Sequence, residues 1–229
     1  MLGDDLTLML LSYGYIIAII LISTSLEKSN LIPVKMSRKI LHSMVGNLIL
    51  VIPHFTWNLT PFLVSSPFIL VTFLASPISP YGGIREKMKG LAGITEGGHI
   101  TGLILYSISY SLLAFLFPLR PYIIASGIFP MAYGDSSAAV IGERYGKQKL
   151  RGDKSLIGSL TMFFVSLLSV IAGLYYFTEF YSFDLSSMIW SSIFTAFVVT
   201  VAELITPKGY DNITVPLLGA AAFMFSGGY

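Results

Sequence analysis

Cysteine is absent from all 229 residues, which excludes disulfides, thiolate metal sites and a cysteine nucleophile. Charge is scarce too: Asp, Glu, Lys and Arg make up 11% of the chain, against 54% hydrophobic residues and a mean hydropathy of +0.76. A soluble domain carries roughly 25% charged residues, so this composition indicates an integral membrane protein and leaves no room for a separate soluble domain. Internal repeats and low-complexity tracts are also lacking. Nor does the start read as a secretory leader. Asp4 and Asp5 precede the first apolar run, where a leader would carry positive charge, and no small-x-small cleavage pattern follows. That run is expected to stay as a span.

What the chain does have is a series of long apolar runs. Reading them against charge and Gly/Pro breaks predicts helices near 6–26, 39–54, 61–78, 98–118, 121–142, 156–177, 186–205 and 213–228. The runs are continuous and show no period-2 alternation, which favours helices over barrel strands. The expected fold is an all-α integral membrane protein, one domain over 1–229, with about eight transmembrane helices. Loops at 27–38, 79–97, 143–155 and 206–212, with adjoining helix ends, hold 13 of the 14 Lys and Arg residues, and Arg120 alone falls on the other side. By the positive-inside rule those loops are cytoplasmic and both termini face outward. Asp4, Asp5, His54, Glu179 and Asp184 then scatter over the outer side. His42, Glu96, His99, Asp135, Glu143, Glu203, Asp211 and Asn212 gather with the basic loop on the cytoplasmic side, where any chemistry is expected.

The segment GDSSAAVIGERYGKQKLRGDKSLIGS, residues 134–159, concentrates the polar signals. Asp135 lies about eight residues inside its helix, or about 12 Å at 1.5 Å per residue. A carboxylate at membrane depth is costly and calls for a partner or a function. Helical spacing puts Asp135, Ala138, Ala139, Gly142 and Gly146 on one face, where small residues admit a neighbouring helix or a ligand. Arg144, Lys147, Lys149, Arg151 and Lys154 follow. As a positive-inside loop this needs no further explanation. As a ligand site it can cradle phosphates with its bases and with amides freed by Gly146 and Gly152. It is not a P-loop: Gly142-x-x-x-Gly146-Lys147 is one residue short, and Gln148 stands where Ser or Thr belongs. Ser155 is a good N-cap for the next helix, and a helix start beside Lys154 favours a phosphate.

Three further features are open to two readings each. Arg38 and His42, at i and i+4, are either snorkelling anchors or ligands at the membrane boundary. Glu203 and Asp211-Asn212 either cap helices or, converging with Asp135, hold Mg²⁺. The glycine-rich loop at 79–97 is either a lid or a hinge. The glycosylation-like triplets at Asn58 and Asn212 are treated as chance.

Taken in order, these elements resemble the CTP-dependent polyprenol kinase family: dolichol kinase, phytol kinase and CTP-dependent diacylglycerol kinase relatives. The resemblance rests on Arg38-Lys39-x-x-His42, Gly134-Asp135-x-x-Ala138-Ala139-x-x-Gly142-x-x-Tyr145-Gly146-Lys147, Lys154-Ser155-x-x-Gly158-Ser159, and Glu203 with Asp211-Asn212-Ile213-Thr214-Val215-Pro216-Leu217. One departure is Ile157, where relatives often have Glu. The resemblance implies transfer of the γ-phosphate of CTP to a long-chain lipid alcohol of the dolichol, phytol or geranylgeraniol class. It implies Asp135, Asp211 and Glu203 as Mg²⁺ ligands. It further implies Gly142, Gly146, Lys147, Lys149, Lys154, Ser155, Gly158 and Asn212 around the nucleotide, with Asp135, Arg38 and His42 at the reaction centre. The expected partners are the bilayer, CTP and the lipid alcohol, and no nucleic acid. Two other readings stand beside it. A CTP:lipid-phosphate cytidylyltransferase would use similar substrates and release pyrophosphate. A transporter would use Asp135 for coupling, against which stands the gathering of polar groups on one side.

Overall fold

The computed structural model describes residues 2–88 and 101–228, and these are mostly helical. In chain order the helices are α1 (Leu2–Lys28), α2 (Val34–Gly46), α3 (Thr60–Ser65), α4 (Pro67–Ala75), α5 (Gly82–Lys87) and α6 (Gly102–Leu116). They continue with α7 (Pro121–Phe129), α8 (Ser136–Tyr145), α9 (Leu156–Phe177), α10 (Ile189–Ile205) and α11 (Asp211–Phe225). Helical segments thus fall at all eight stretches marked by the apolar runs. Three of them, Gly3–Lys28, Leu156–Phe177 and Ser186–Ile205, are long and apolar enough to cross a membrane, while Thr60–Ala75, Gly102–Leu116 and Asp211–Phe225 are apolar but shorter. The glycine-rich stretch from 89 to 98, with Glu96 and His99, lies outside the described residues.

The structure departs from a plain helix bundle where proline or glycine forces it to. The second stretch ends as a 3₁₀ helix, Asn47–His54, which contains Pro53. Proline has no N–H for an α ladder, so a tighter segment replaces it. Pro67 likewise divides the third stretch into α3 and α4. The described residues are consistent with an all-α fold, and residues 149–155 add to it a small hairpin, β1 (Lys149–Arg151) with β2 (Lys154–Ser155). Its two-residue turn carries Gly152 at φ +55, a left-handed conformation that glycine adopts without penalty.

The core is built where α10 packs on α9 and on α11, and where α9 and α11 pack on the run from α7 through α8. Ile123, Ile124, Ile128, Met162, Val199, Val215 and Phe223 are fully buried there. Lipid tails are as apolar as these side chains, so helices hold together in a bilayer by close approach more than by water exclusion. Gly127 shows how close. A Cβ there would lie 2.2 Å from the carbonyl oxygen of Pro216, so only glycine admits α11. Around this core, α2 packs on the segment before α8, α1 packs on α2 and α3, and α4 packs on α6.

Asp5, one of the scattered acids, has a definite structural role. Its carboxylate accepts hydrogen bonds from Thr56 N and Trp57 N at 2.8 Å and from the Thr56 and Thr60 hydroxyls at 3.0 Å. It therefore fastens the start of α1 to the turn before α3.

Candidate active site

Asp135 is set by an irregular helix. Pro130 opens a π-helical segment, Pro130–Asp135, between α7 and α8. The missing N–H of Pro130 disrupts the i→i−4 ladder, and a single wide turn absorbs the mismatch. Ser43 on α2 donates to the Ala132 carbonyl inside this segment at 2.6 Å, which ties the two elements together. Asp135 is buried and accepts from Lys39 Nζ, also on α2. This pair answers the cost of a buried acid, since an uncompensated carboxylate would be several kcal/mol worse.

The start of α9 forms a second wall. Ser155 accepts from Gly158 N at 3.1 Å, the N-cap expected from its position. The glycines around it let two backbones meet. A Cβ on Gly142 would lie 3.1 Å from Gly158 Cα, and one on Gly146 would lie 2.1 Å from Ser155 Oγ. The hairpin covers this corner. Lys149 Nζ donates to the Asp153 carbonyl at 3.1 Å, and Asp153 forms an exposed ion pair with Lys208 from the loop before α11. Lys154 turns inward, where its Nζ lies 2.9 Å from Glu203 Oε1 and also donates to the Glu203 carbonyl.

A third wall comes from the first turn of α11. Asp211 Oδ1 accepts from Gly209 N at 3.1 Å, and from Asn212 N and Asn212 Nδ2 at 3.0 Å. Asn212 Nδ2 also donates to the Gly209 carbonyl at 3.2 Å, and the Asn212 carbonyl accepts from Ser109 on α6 at 2.9 Å. Capping and site geometry thus coexist in these two residues.

The walls enclose a cleft of about 1000 Å³. Arg38, His42, Asp135, Gly142, Lys149, Lys154, Ser155, Gly158, Glu203, Asp211 and Asn212 all line it. Gly146 and Lys147 do not: the first is packed against Ser155 and the second is exposed outside the wall. Lys39, Ser159 and Lys208 line the cleft without having been singled out from the sequence as site residues. Lys39 had a legible signal, because a buried acid needs a base and the neighbouring motif contains one. Ser159 closes the Lys154-Ser155-x-x-Gly158-Ser159 motif, whereas Lys208 had no signal.

Three buried polar atoms on this wall have no hydrogen-bond partner: His42 Nδ1, Ser159 Oγ and Asn212 Oδ1. Buried polar groups are nearly always paired, so these three residues are where the polar groups of the cleft wall are left unsatisfied. Asp135 lies within electrostatic reach of both Glu203 and Asp211. Even so, the described residues contain no ready-made cluster of three His, Asp or Glu for a metal ion. The donor set fits a hard cation held by one or two carboxylates and completed by substrate phosphates, with Asn212 Oδ1 as a further oxygen.

The chain is similar over most of its length to curated phytol kinases. It is 28% identical to the phytol kinase of Synechocystis sp., over 96% of this chain and 91% of that protein. It is 29% identical to the probable chloroplastic phytol kinase 1 of Glycine max, over 96% of this chain and 76% of the relative. Against phytol kinase 1, chloroplastic, of Arabidopsis thaliana the identity is 28%, over 93% and 73% of the two chains. No family profile matches the chain. No solved structure matches it either. This similarity is in keeping with the family that the motifs resemble.

Proposed function

We propose that this chain is a CTP-dependent lipid kinase that phosphorylates a polyprenol-type alcohol at the cytoplasmic face of the membrane. The observation that carries the reading is the cleft itself. Its volume of about 1000 Å³ suits a nucleotide and a lipid headgroup together, and three buried polar atoms on its wall lack partners. In the reaction the lipid hydroxyl oxygen bonds to the γ-phosphorus of CTP, the bond from that phosphorus to the β-γ bridging oxygen breaks, and CDP leaves. The hydroxyl proton passes to a base or to water.

Phosphoryl transfer depends mainly on alignment and on stabilising charge over the phosphate oxygens. On this reading Asp135, with Asp211 or Glu203, would hold Mg²⁺, whose charge would offset that of the nucleotide phosphates. Lys149 and Lys154 contact phosphate oxygens. Lys154 would then exchange some of its contact with Glu203 for the nucleotide, which would free that carboxylate for the metal. Ser159 and Asn212 offer their unpaired oxygens, and Arg38 and His42 orient the acceptor hydroxyl or a phosphate. Gly142 and Gly158 bring the two backbones close, and Gly146 supports Ser155. Lys147 would serve a bound phosphate only from outside the cleft.

The same reading takes the chain as a multi-pass protein of about eight spans with both termini outside, which the basic loops support. The test uses purified protein with Mg²⁺, labelled CTP or ATP, and a panel of prenols with diacylglycerol. Release of CDP with a phosphorylated prenol supports a kinase. Pyrophosphate with a CDP-lipid would establish the cytidylyltransferase instead.

A further inference from the structure

A second cavity, about 40 Å³ and almost wholly apolar, adjoins the cleft. Ile16 and Ile20 of α1, Leu41 and Val45 of α2, Phe68 and Thr72 of α4, and Leu103 and Ser107 of α6 wall it. One residue, His42, lines both this slot and the cleft, and its Nδ1 is among the unpartnered atoms. Most of its lining is apolar, with His42, Thr72, Tyr106 and Ser107 as the polar side chains, so hydrocarbon suits it better than water. It has space for a few methylene groups.

The slot leads in a definite direction. From His42 it follows α2 to Val45, away from the loop end of the bundle. Its outer wall is the meeting of two helix pairs, α1 on α2 and α4 on α6. Phe68 lines the slot on the α4 side, with its ring 6.0 Å from that of Tyr13 on α1. On the same two helices, α1 and α4, the apolar residues Ile17, Leu21 and Leu70 are each more than half exposed.

Resting on the kinase reading above, we infer that the slot between α1, α2, α4 and α6 receives the hydroxyl-bearing end of the acceptor's hydrocarbon chain. The alcohol enters sideways from the bilayer past Phe68, and its hydroxyl emerges beside His42 in the cleft. His42 is then the positioning residue at the junction. Ser107 and Thr72, the small side chains of the slot, set how much bulk it admits near the hydroxyl. The rest of the chain stays in lipid, so the slot discriminates the first few carbons and not total length.

Two measurements test this. Ser107→Leu and, from the opposite helix, Thr72→Leu each fill the void. Each is expected to raise the KM for phytol about tenfold, while kcat and the KM for CTP change by less than about twofold. Separately, unaltered protein is irradiated with a long-chain alcohol carrying a diazirine next to its hydroxyl. Adducts are expected at Ile16, Ile20, Phe68 or Leu103, and unlabelled phytol should displace them. Unchanged phytol KM in both variants, or adducts confined to α9 and α10, would overturn the slot. If one variant fails to fold, the other and the labelling decide. Displaceable labelling of the slot in a protein that phosphorylates no alcohol would keep the lipid site and reject the kinase.

Discussion

Asp135 and Lys39 carry most of the argument at the level of single residues. The acid is conspicuous in the sequence because a carboxylate amid apolar residues has no bland explanation. Its partner is much less so, since a lysine beside Arg38 at a helix boundary looks like an ordinary membrane anchor. Only the fold shows α2 laid against the π segment, with both side chains turned inward. Asp135→Asn keeps the shape and removes the charge, so turnover should fall by about 100-fold or more. It should also cost about 3 kcal/mol, because Lys39 is left buried and unpaired. The Lys39→Met/Asp135→Asn double variant should melt closer to the unaltered protein than the summed losses of the two single variants, while remaining inactive. Strictly additive melting losses in detergent would show that the pair is not coupled.

Among the elements, the start of α9 and the turn that precedes it position the cleft. The Ser155 cap was legible, since serine ahead of an apolar run is a standard helix start. The glycines of 142–158 were legible only as places of close approach. The sequence does not say whether a ligand or a second backbone approaches, and at Gly146 it is the Ser155 side chain. Ser155→Ala should cost about 1 kcal/mol through loss of the cap. Gly146→Ala should cost more, because its new methyl would meet both Ser155 Oγ and the Gly142 carbonyl. Melting in detergent gives that order, and CTP affinity should fall in parallel. Equal stability of Gly146→Ala and the unaltered protein would show that this corner is loose. The π and 3₁₀ segments could not be read beforehand, although Pro130 and Pro53 were in view. A proline states that an α ladder fails but not which helical register replaces it.

For the whole molecule, the apolar runs located the described helical segments except α5, which falls in the loop expected at 79–97, because membrane helices announce themselves by length and composition and this short polar helix does not. The apolar slot was not legible, since no pattern distinguishes side chains that pack from those that leave a void. The orientation rests on the basic loops and can be tested directly, because a chain without cysteine accepts single reporters. In intact cells Arg120→Cys and Asp184→Cys should react with a membrane-impermeant thiol reagent, and Arg151→Cys should react only after permeabilisation. The reverse pattern would invert the topology and move the cleft to the outer face. The kinase claim itself is tested most directly by the fate of one phosphorus atom. Purified protein with Mg²⁺ and phytol, given CTP labelled on its γ-phosphate, should transfer the label to phytol, and CTP labelled on its α-phosphate should transfer none. Label reaching the lipid from the α-position, or from neither, would contradict the account.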